Sequence, residues 1–155
     1  MPSEHITPSI QDWPENSRED RYSLAIYPLH AVFLAGTIPL FLGAALSDFA
    51  YVSSFHIQWS NFSSWLIVGG MVFATIALLF SIIDLFRPRR RVRSLVLYTV
   101  LLLVAWILGF INSLIHAQDA WESMPTGLIL SVVVTVLVCV ATWLGFCAPR
   151  FGGPK

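Results

Sequence analysis

Four long apolar runs constrain the fold of this chain more than any other feature of its sequence. They cover about residues 28–50, 62–86, 95–115 and 126–146. Each has about 20 residues or more, which at about 1.5 Å per helical residue is enough to cross a hydrocarbon core of roughly 30 Å. The runs are continuous rather than alternating, so they predict helices and not the strands of a barrel. We therefore expect an all-α polytopic membrane protein with four transmembrane helices.

The composition agrees with this fold class. Of the 155 residues, 56% are hydrophobic and only 12% are charged, which is about half the charged share of soluble globular domains. A chain of this length holds one domain, and a small water-soluble domain could not bury so much apolar surface. The connections between the runs are short, which favours a four-helix up-down bundle with antiparallel neighbours.

Polar segments flank the predicted membrane domain, which covers residues 27–147. Residues 1–26 are acidic and contain three prolines. They lack the basic region and apolar core of a signal peptide, so we expect a partly disordered cytoplasmic tail. Residues 148–155 are expected to form a second, short cytoplasmic tail.

The basic residues predict the orientation of the bundle. All nine lysines and arginines fall in three segments that four spans place on one side of the membrane: before span 1, between spans 2 and 3, and after span 4. The segments between spans 1 and 2 and between spans 3 and 4 contain none. By the positive-inside rule, both termini should be cytoplasmic in a multi-pass protein of the bacterial inner (plasma) membrane.

The stretch "RPRRRVR", residues 87–93, is predicted to form a tight cytoplasmic turn. Because this connection is short and includes a proline, its arginines are placed to contact anionic headgroups of the lipid bilayer. Each such contact contributes roughly 1 kcal/mol of binding free energy for each basic residue. A nucleic-acid partner is not expected, because the stretch has neither interleaved aromatic residues nor a helix that could enter a groove. The residues of this topology or lipid-headgroup cluster are Arg87, Arg89, Arg90, Arg91 and Arg93.

Polar and ionisable residues at membrane depth are the candidates for function, because they are costly there. Asn112, His116 and Asp119 follow the i, i+4, i+7 spacing of one helix face at the outer end of span 3. Together with Asp48 and His56 they could converge at the outer surface as a candidate outer polar site. Two interpretations stay open, a hydrogen-bond network that closes the bundle and a quinone or metal site.

His30 and Asp84 form a candidate inner polar site. His30 precedes Asp48 by 18 residues, which is five helical turns, so these two share a face about 27 Å apart. Asp84 ends a stripe of small residues in span 2 and lies three residues before Arg87, which indicates a local ion pair at the membrane surface. Span 4 carries another stripe of small and polar residues, Gly127, Ser131 and Thr135.

No catalytic residue and no metal ligand is expected. The chain has no hydrolase, metalloprotease, P-loop or dinucleotide-binding motif, and its two cysteines form no metal-binding pattern. Bis-histidine haem b requires two histidines at one depth, whereas His30 and His116 belong to opposite ends. A single outer haem and a quinone stay as alternatives.

Three stretches of the spans share a family pattern. Span 1 opens with Pro-Leu-His at residues 28–30 and ends near Asp48, span 2 runs from "GGMVF" to Asp84, and span 4 closes with "ATWLGFCAPRFGG". Over about residues 27–153 the chain resembles the domain of unknown function 2231 family of small bacterial four-span membrane proteins. The resemblance implies an accessory role beside periplasmic quinoprotein dehydrogenases of the sorbosone type.

These observations lead to three functional hypotheses. The first is a non-catalytic integral membrane subunit or anchor for a periplasmic oxidoreductase, which would be a sugar or sorbosone-type dehydrogenase. The enzyme would dock on the outer loops at residues 51–61 and 117–125, and the subunit would lie on the side where the enzyme meets the membrane quinone. The second is an electron-transfer module that holds haem b or quinone near Asp48, Asn112 and His116. The third is a small transporter or channel, which the scarcity of charge inside the spans disfavours.

Overall fold

The computed structural model describes residues 28–86, 93–118 and 122–147. The helices in this part of the chain are α1 (Pro28–Ser54), α2 (Ile57–Phe86), α3 (Arg93–His116) and α4 (Thr126–Cys147). All four are long and apolar enough to cross a membrane. The predicted all-α fold with four transmembrane helices is therefore confirmed.

The first two helices are longer than their apolar runs. α1 continues to Ser54 and α2 already begins at Ile57, so the predicted outer loop at residues 51–61 is helical over most of its length. Hydropathy marks only the part of a helix in the hydrocarbon, whereas polar and aromatic residues extend it through the headgroup region.

Only Phe55 and His56 connect α1 to α2. Phe55 has a positive φ of 56°, which is the left-handed conformation that commonly ends a helix. Its N–H donates to the carbonyl oxygen of Tyr51 at 2.7 Å. This single residue turns the chain sharply enough for α2 to return antiparallel to α1.

The helices form a closed ring. α1 packs against α2 and α4, and α3 packs against the same two helices. Since neighbours are antiparallel, the α1–α2 and α3–α4 connections lie together at what we call the connection end. α1 begins and α4 ends at the opposite, terminal end. α1 and α3 are diagonal partners that run parallel to each other.

The centre of the bundle is filled by one aromatic ring. Phe41 of α1 is the largest fully buried side chain among the described residues. A β-carbon at Gly70 of α2 would lie 3.0 Å from its ring, and one at Gly109 of α3 would lie 3.6 Å from it. These two glycines leave room for the ring between their helices. The rest of this apolar layer consists of Ala74, Ala105, Val134 and Val138.

The surface of the bundle is made for contact with lipid. Large hydrophobic side chains are exposed on all four helices, which is unusual on such a scale for a water-soluble protein. Trp106, in the middle of α3, differs from these lipid-facing residues. Its indole N–H donates to the Thr75 hydroxyl of α2 at 2.8 Å, and its ring stacks on Phe110. The bilayer is thus a partner of this chain, and Trp106 helps to join α3 to α2.

Replacing Gly70 by alanine tests the packing of Phe41. The new methyl group would lie 3.0–3.1 Å from three atoms of the buried ring. We expect Gly70→Ala to lower the free energy of unfolding by about 1–3 kcal/mol, although alanine has the higher helix propensity. Denaturant unfolding in detergent measures this change. Gly69→Ala is the matched control, because its methyl group would meet only Leu40, at 3.6 Å. Equal stability of the two variants would contradict the packing described.

Candidate functional site

A fully buried carboxyl group lies at the connection end. Asp48, near the end of α1, has 0% of its surface exposed. Its Oδ1 lies 2.9 Å from Nε2 of His116 on α3, and its Oδ2 accepts a hydrogen bond of 2.5 Å from the hydroxyl of Ser131 on α4. Three helices therefore meet at this carboxyl group, and both of its oxygens have partners.

Asn112 closes these contacts into a ring. Its side-chain N–H donates to Ser131 Oγ at 2.9 Å, and its backbone carbonyl oxygen lies 3.0 Å from His116 Nδ1. Ser131 gives its single hydrogen to Asp48, so its oxygen is free to accept from Asn112. We call Asp48, Asn112, His116 and Ser131 the Asp48 network.

The two ring nitrogens of His116 determine where the hydrogens of the network lie. The Asn112 carbonyl oxygen can only accept, so Nδ1 carries a hydrogen. At 2.9 Å, Nε2 and Asp48 Oδ1 would repel each other as two lone pairs, so a second hydrogen lies between them. Whether nitrogen or oxygen holds it, the Asp48–His116 pair is neutral overall. Neutrality suits burial, because an uncompensated charge at membrane depth costs several kcal/mol.

Two further close contacts surround the network. Gly127 in the first turn of α4 passes so close to the imidazole that a β-carbon there would lie 2.8 Å from His116 Cε1. Ser63 of α2 donates to the carbonyl oxygen of Ala44 at 3.2 Å, one helical turn before Asp48. All four helices thus contribute to the geometry of the site.

One polar atom of the network has no hydrogen-bond partner among the described residues. Asn112 Oδ1 is buried and accepts no hydrogen bond from the described part of the chain. A buried acceptor without a donor costs about 1–3 kcal/mol.

An open cleft of about 420 Å³ lies beside the network. Its walls come from the first turns of α2 and from the end of α3. His116 belongs both to the lining of the cleft and to the Asp48 network, so it joins the two. Among the described residues, the lining contains no Asp, Glu, Lys or Arg. It consists of Ile57, Gln58, Ser60, Asn61, Ser64, His116 and Gln118.

Three of the predicted outer-site residues come together, namely Asp48, Asn112 and His116. His56 is exposed between α1 and α2 and does not join them. Asp119 lies outside the described residues. Ser131 was not predicted as a site residue, although it belongs to the polar stripe on span 4, and the amide and hydroxyl residues of the cleft gave no periodic signal.

A second buried polar cluster lies at the terminal end. His30 Nε2 is 2.9 Å from the Tyr98 hydroxyl, and the imidazole stacks on Phe80 at 5.7 Å. Asp84 is buried as well and interacts electrostatically with His30 and Tyr98. The predicted inner residues therefore belong to one cluster, which Tyr98 completes. The sequence signal that could have identified Tyr98 is its spacing. It precedes His116 by 18 residues, as His30 precedes Asp48.

The arginine cluster stays a prediction. Arg87, Arg89, Arg90 and Arg91 lie outside the described residues, and so does the predicted ion pair of Asp84 with Arg87. Arg93 begins α3, but its side chain is not described.

The histidines do not suit the iron of haem b. An axial histidine needs a free ring nitrogen, whereas both nitrogens of His116 are engaged within 3.0 Å. His30 and His116 also lie at opposite ends of the bundle. Over residues 28–86, 93–118 and 122–147, no three His, Cys, Asp or Glu side chains are grouped to hold a metal ion.

Comparison with known proteins agrees with the architecture. Residues 26–148 match the family described as "Predicted membrane protein (DUF2231)". The matched region includes all four helices, the Asp48 network and the cluster around His30, and it confirms the resemblance seen in the sequence. No curated protein and no solved structure matches the chain.

A double-mutant cycle tests the pairing of Asp48 with His116. We expect Asp48→Asn and His116→Gln each to lower the free energy of unfolding by about 3 kcal/mol, because each leaves the other group buried without its partner. The double variant should lose about 1–3 kcal/mol less than the sum of the two. Denaturant unfolding in one detergent measures all three.

His56→Gln is the control for this cycle, since His56 is exposed at the same end of the bundle. Its effect should stay within about 0.5 kcal/mol. Additive losses for the Asp48 and His116 variants would show that the two side chains are not coupled.

Proposed function

We propose that this chain, which belongs to the DUF2231 family of predicted membrane proteins, is a non-catalytic integral subunit that anchors a periplasmic oxidoreductase to the bacterial plasma membrane. The partner is a dehydrogenase of the sugar or sorbosone type. The connection end faces the periplasm and docks the enzyme. The observation that carries the proposal is the open cleft above the Asp48 network at this end, whose described lining residues are all uncharged side chains or histidine.

The distribution of basic residues supports this orientation. The connection between α1 and α2 and the segment at residues 117–125 contain no lysine or arginine. All nine basic residues belong to segments on the side of the terminal end. The positive-inside rule then assigns the connection end to the periplasm.

The surface chemistry of the connection end supports a protein partner. Gln58, Asn61 and Gln118 expose amide groups around the cleft, and Phe55 and Trp59 expose aromatic rings beside them. Protein interfaces combine aromatic contacts with a polar rim and are depleted in charged residues at their core. A soluble enzyme could bury these rings and pair with the amides.

A non-catalytic role agrees with the state of the buried polar groups. Both oxygens of Asp48 and both ring nitrogens of His116 already have hydrogen-bond partners. A general base or nucleophile needs a free atom within reach of the substrate. The Asp48 network is better suited to hold three helices at a fixed distance beneath the docked enzyme.

The alternatives have less support from the geometry. Haem b at the Asp48 network would need a free nitrogen on His116, where both are engaged. A transporter or channel would need a polar path between the two ends, but the apolar layer around Phe41 lies between the Asp48 network and the His30 cluster. Within the described residues this layer contains no ionisable side chain.

Affinity capture tests the docking. A tagged chain, extracted from native membranes in mild detergent, is expected to co-purify with a periplasmic oxidoreductase, identified by mass spectrometry and by dye-linked dehydrogenase activity. His56→Glu adds a charge at the connection end and should reduce the captured activity about tenfold or more, because an unpaired interfacial charge costs a few kcal/mol.

The control for this experiment changes the other end. Leu29→Glu places the same charge on an exposed position in the first turn of α1, where an acidic residue is favourable for the helix dipole. It should leave the captured activity unchanged. A chain that is purified alone, or equal losses in both variants, would refute docking through the connection end.

A further inference from the structure

We infer that the cleft at the connection end binds the headgroup of a membrane quinone, a neutral ring with two oxygens attached to an apolar tail. This inference rests on the proposed function and deepens it, because it names the ligand of the face that docks the enzyme. Quinone binding is nevertheless a property of the isolated chain. It can be measured without the partner.

The lining of the cleft selects a neutral ligand with hydrogen-bonding oxygens. Gln58, Asn61 and Gln118 supply amide N–H groups, and Ser60 supplies a hydroxyl from a nearly buried position. None of the described residues that line the cleft is charged, so a phosphate or carboxylate ligand would find no counter-charge among them. The volume of about 420 Å³ lies within the roughly 300–1,000 Å³ of small-molecule sites.

The surroundings of the cleft favour a ligand from the bilayer over one from water. α2 and α3 are connected at the terminal end, so no chain segment joins them across the cleft. On the same turns of these helices, Phe62, Trp65 and Leu114 are 53%, 70% and 55% exposed. Apolar side chains at headgroup depth fit the tail of an amphiphile.

The Asp48 network adjoins the cleft through His116. The His116 side chain is 1% exposed and both of its ring nitrogens already have partners, so the ligand is held by the amides and the hydroxyl of the lining rather than by the imidazole. The proposed step is binding alone, and no covalent bond is made or broken.

Binding of decylubiquinone to the purified chain in phosphatidylcholine nanodiscs tests the inference. We expect saturable quenching of tryptophan fluorescence. Asn61→Leu and Gln118→Leu should each raise the Kd about tenfold or more, which corresponds to the loss of about 1.4 kcal/mol. Ser53→Leu is the matched control, because Ser53 is exposed on α1 at the same end but does not line the cleft. It should leave the Kd unchanged.

Two further ligands identify the chemistry that is recognised. Decylbenzene has the apolar tail without the oxygens and should not displace decylubiquinone, and neither should glucose. Displacement by decylbenzene, displacement by glucose, quenching that does not saturate, or equal losses in Asn61→Leu and Ser53→Leu would each overturn the inference. Thermal unfolding of every variant shows that a weaker Kd does not reflect loss of the fold.

The result can be separated from that of the docking experiment. If the chain captures an oxidoreductase but does not bind decylubiquinone, the quinone site fails and the anchor stands. If decylubiquinone binds and no enzyme is captured, the site stands and the docking fails.

Discussion

The neutralisation of Asp48 is the constraint on which the connection end depends. A carboxyl group that is completely buried in a membrane bundle must either be protonated or be paired, because water is not available to solvate its charge. Here it is paired with His116 and hydrogen-bonded by Ser131. These partners come from α3 and α4, so a single buried group fixes the position of three helices. The same pairing explains the glycine at position 127, because a side chain there would collide with the imidazole of His116.

The bundle has a polar cluster at each end and an apolar layer between them. Asp48 and His116 join α1 to α3 at the connection end, and His30 and Tyr98 join the same diagonal pair at the terminal end. The two contacts are five turns apart on both helices. Each contact therefore joins residues of the two parallel helices that lie at the same depth in the bundle. Phe41 fills the space between the two contacts. This arrangement favours a rigid, sealed bundle with chemistry at its surface over a path through the membrane.

The four-helix fold was predictable from the sequence because the length of an apolar run is a strong, local signal. The meeting of Asp48, Asn112 and His116 was predictable in part, since helical spacing and depth placed them at one end. Ser131 and Tyr98 were not predicted, because a serine or tyrosine in an apolar helix has several possible environments, and only the packing of diagonal helices selects one. The cleft was also not predicted. Its lining belongs to a stretch that hydropathy assigns to a loop, whereas α2 in fact begins at Ile57.

The hydrogens on His116 provide the most direct test of the central claim, that Asp48 and His116 form a neutral pair sharing a hydrogen. Nitrogen-15 NMR of the histidine side chains in the full chain, recorded near about pH 8 where an ordinary histidine is neutral, reports the state of each ring nitrogen. The structure predicts that Nδ1 of His116 carries a hydrogen, and that Nε2 is hydrogen-bonded in a way that changes in Asp48→Asn. An Nδ1 without a hydrogen, or a His116 signal that Asp48→Asn leaves unchanged, would contradict the claim.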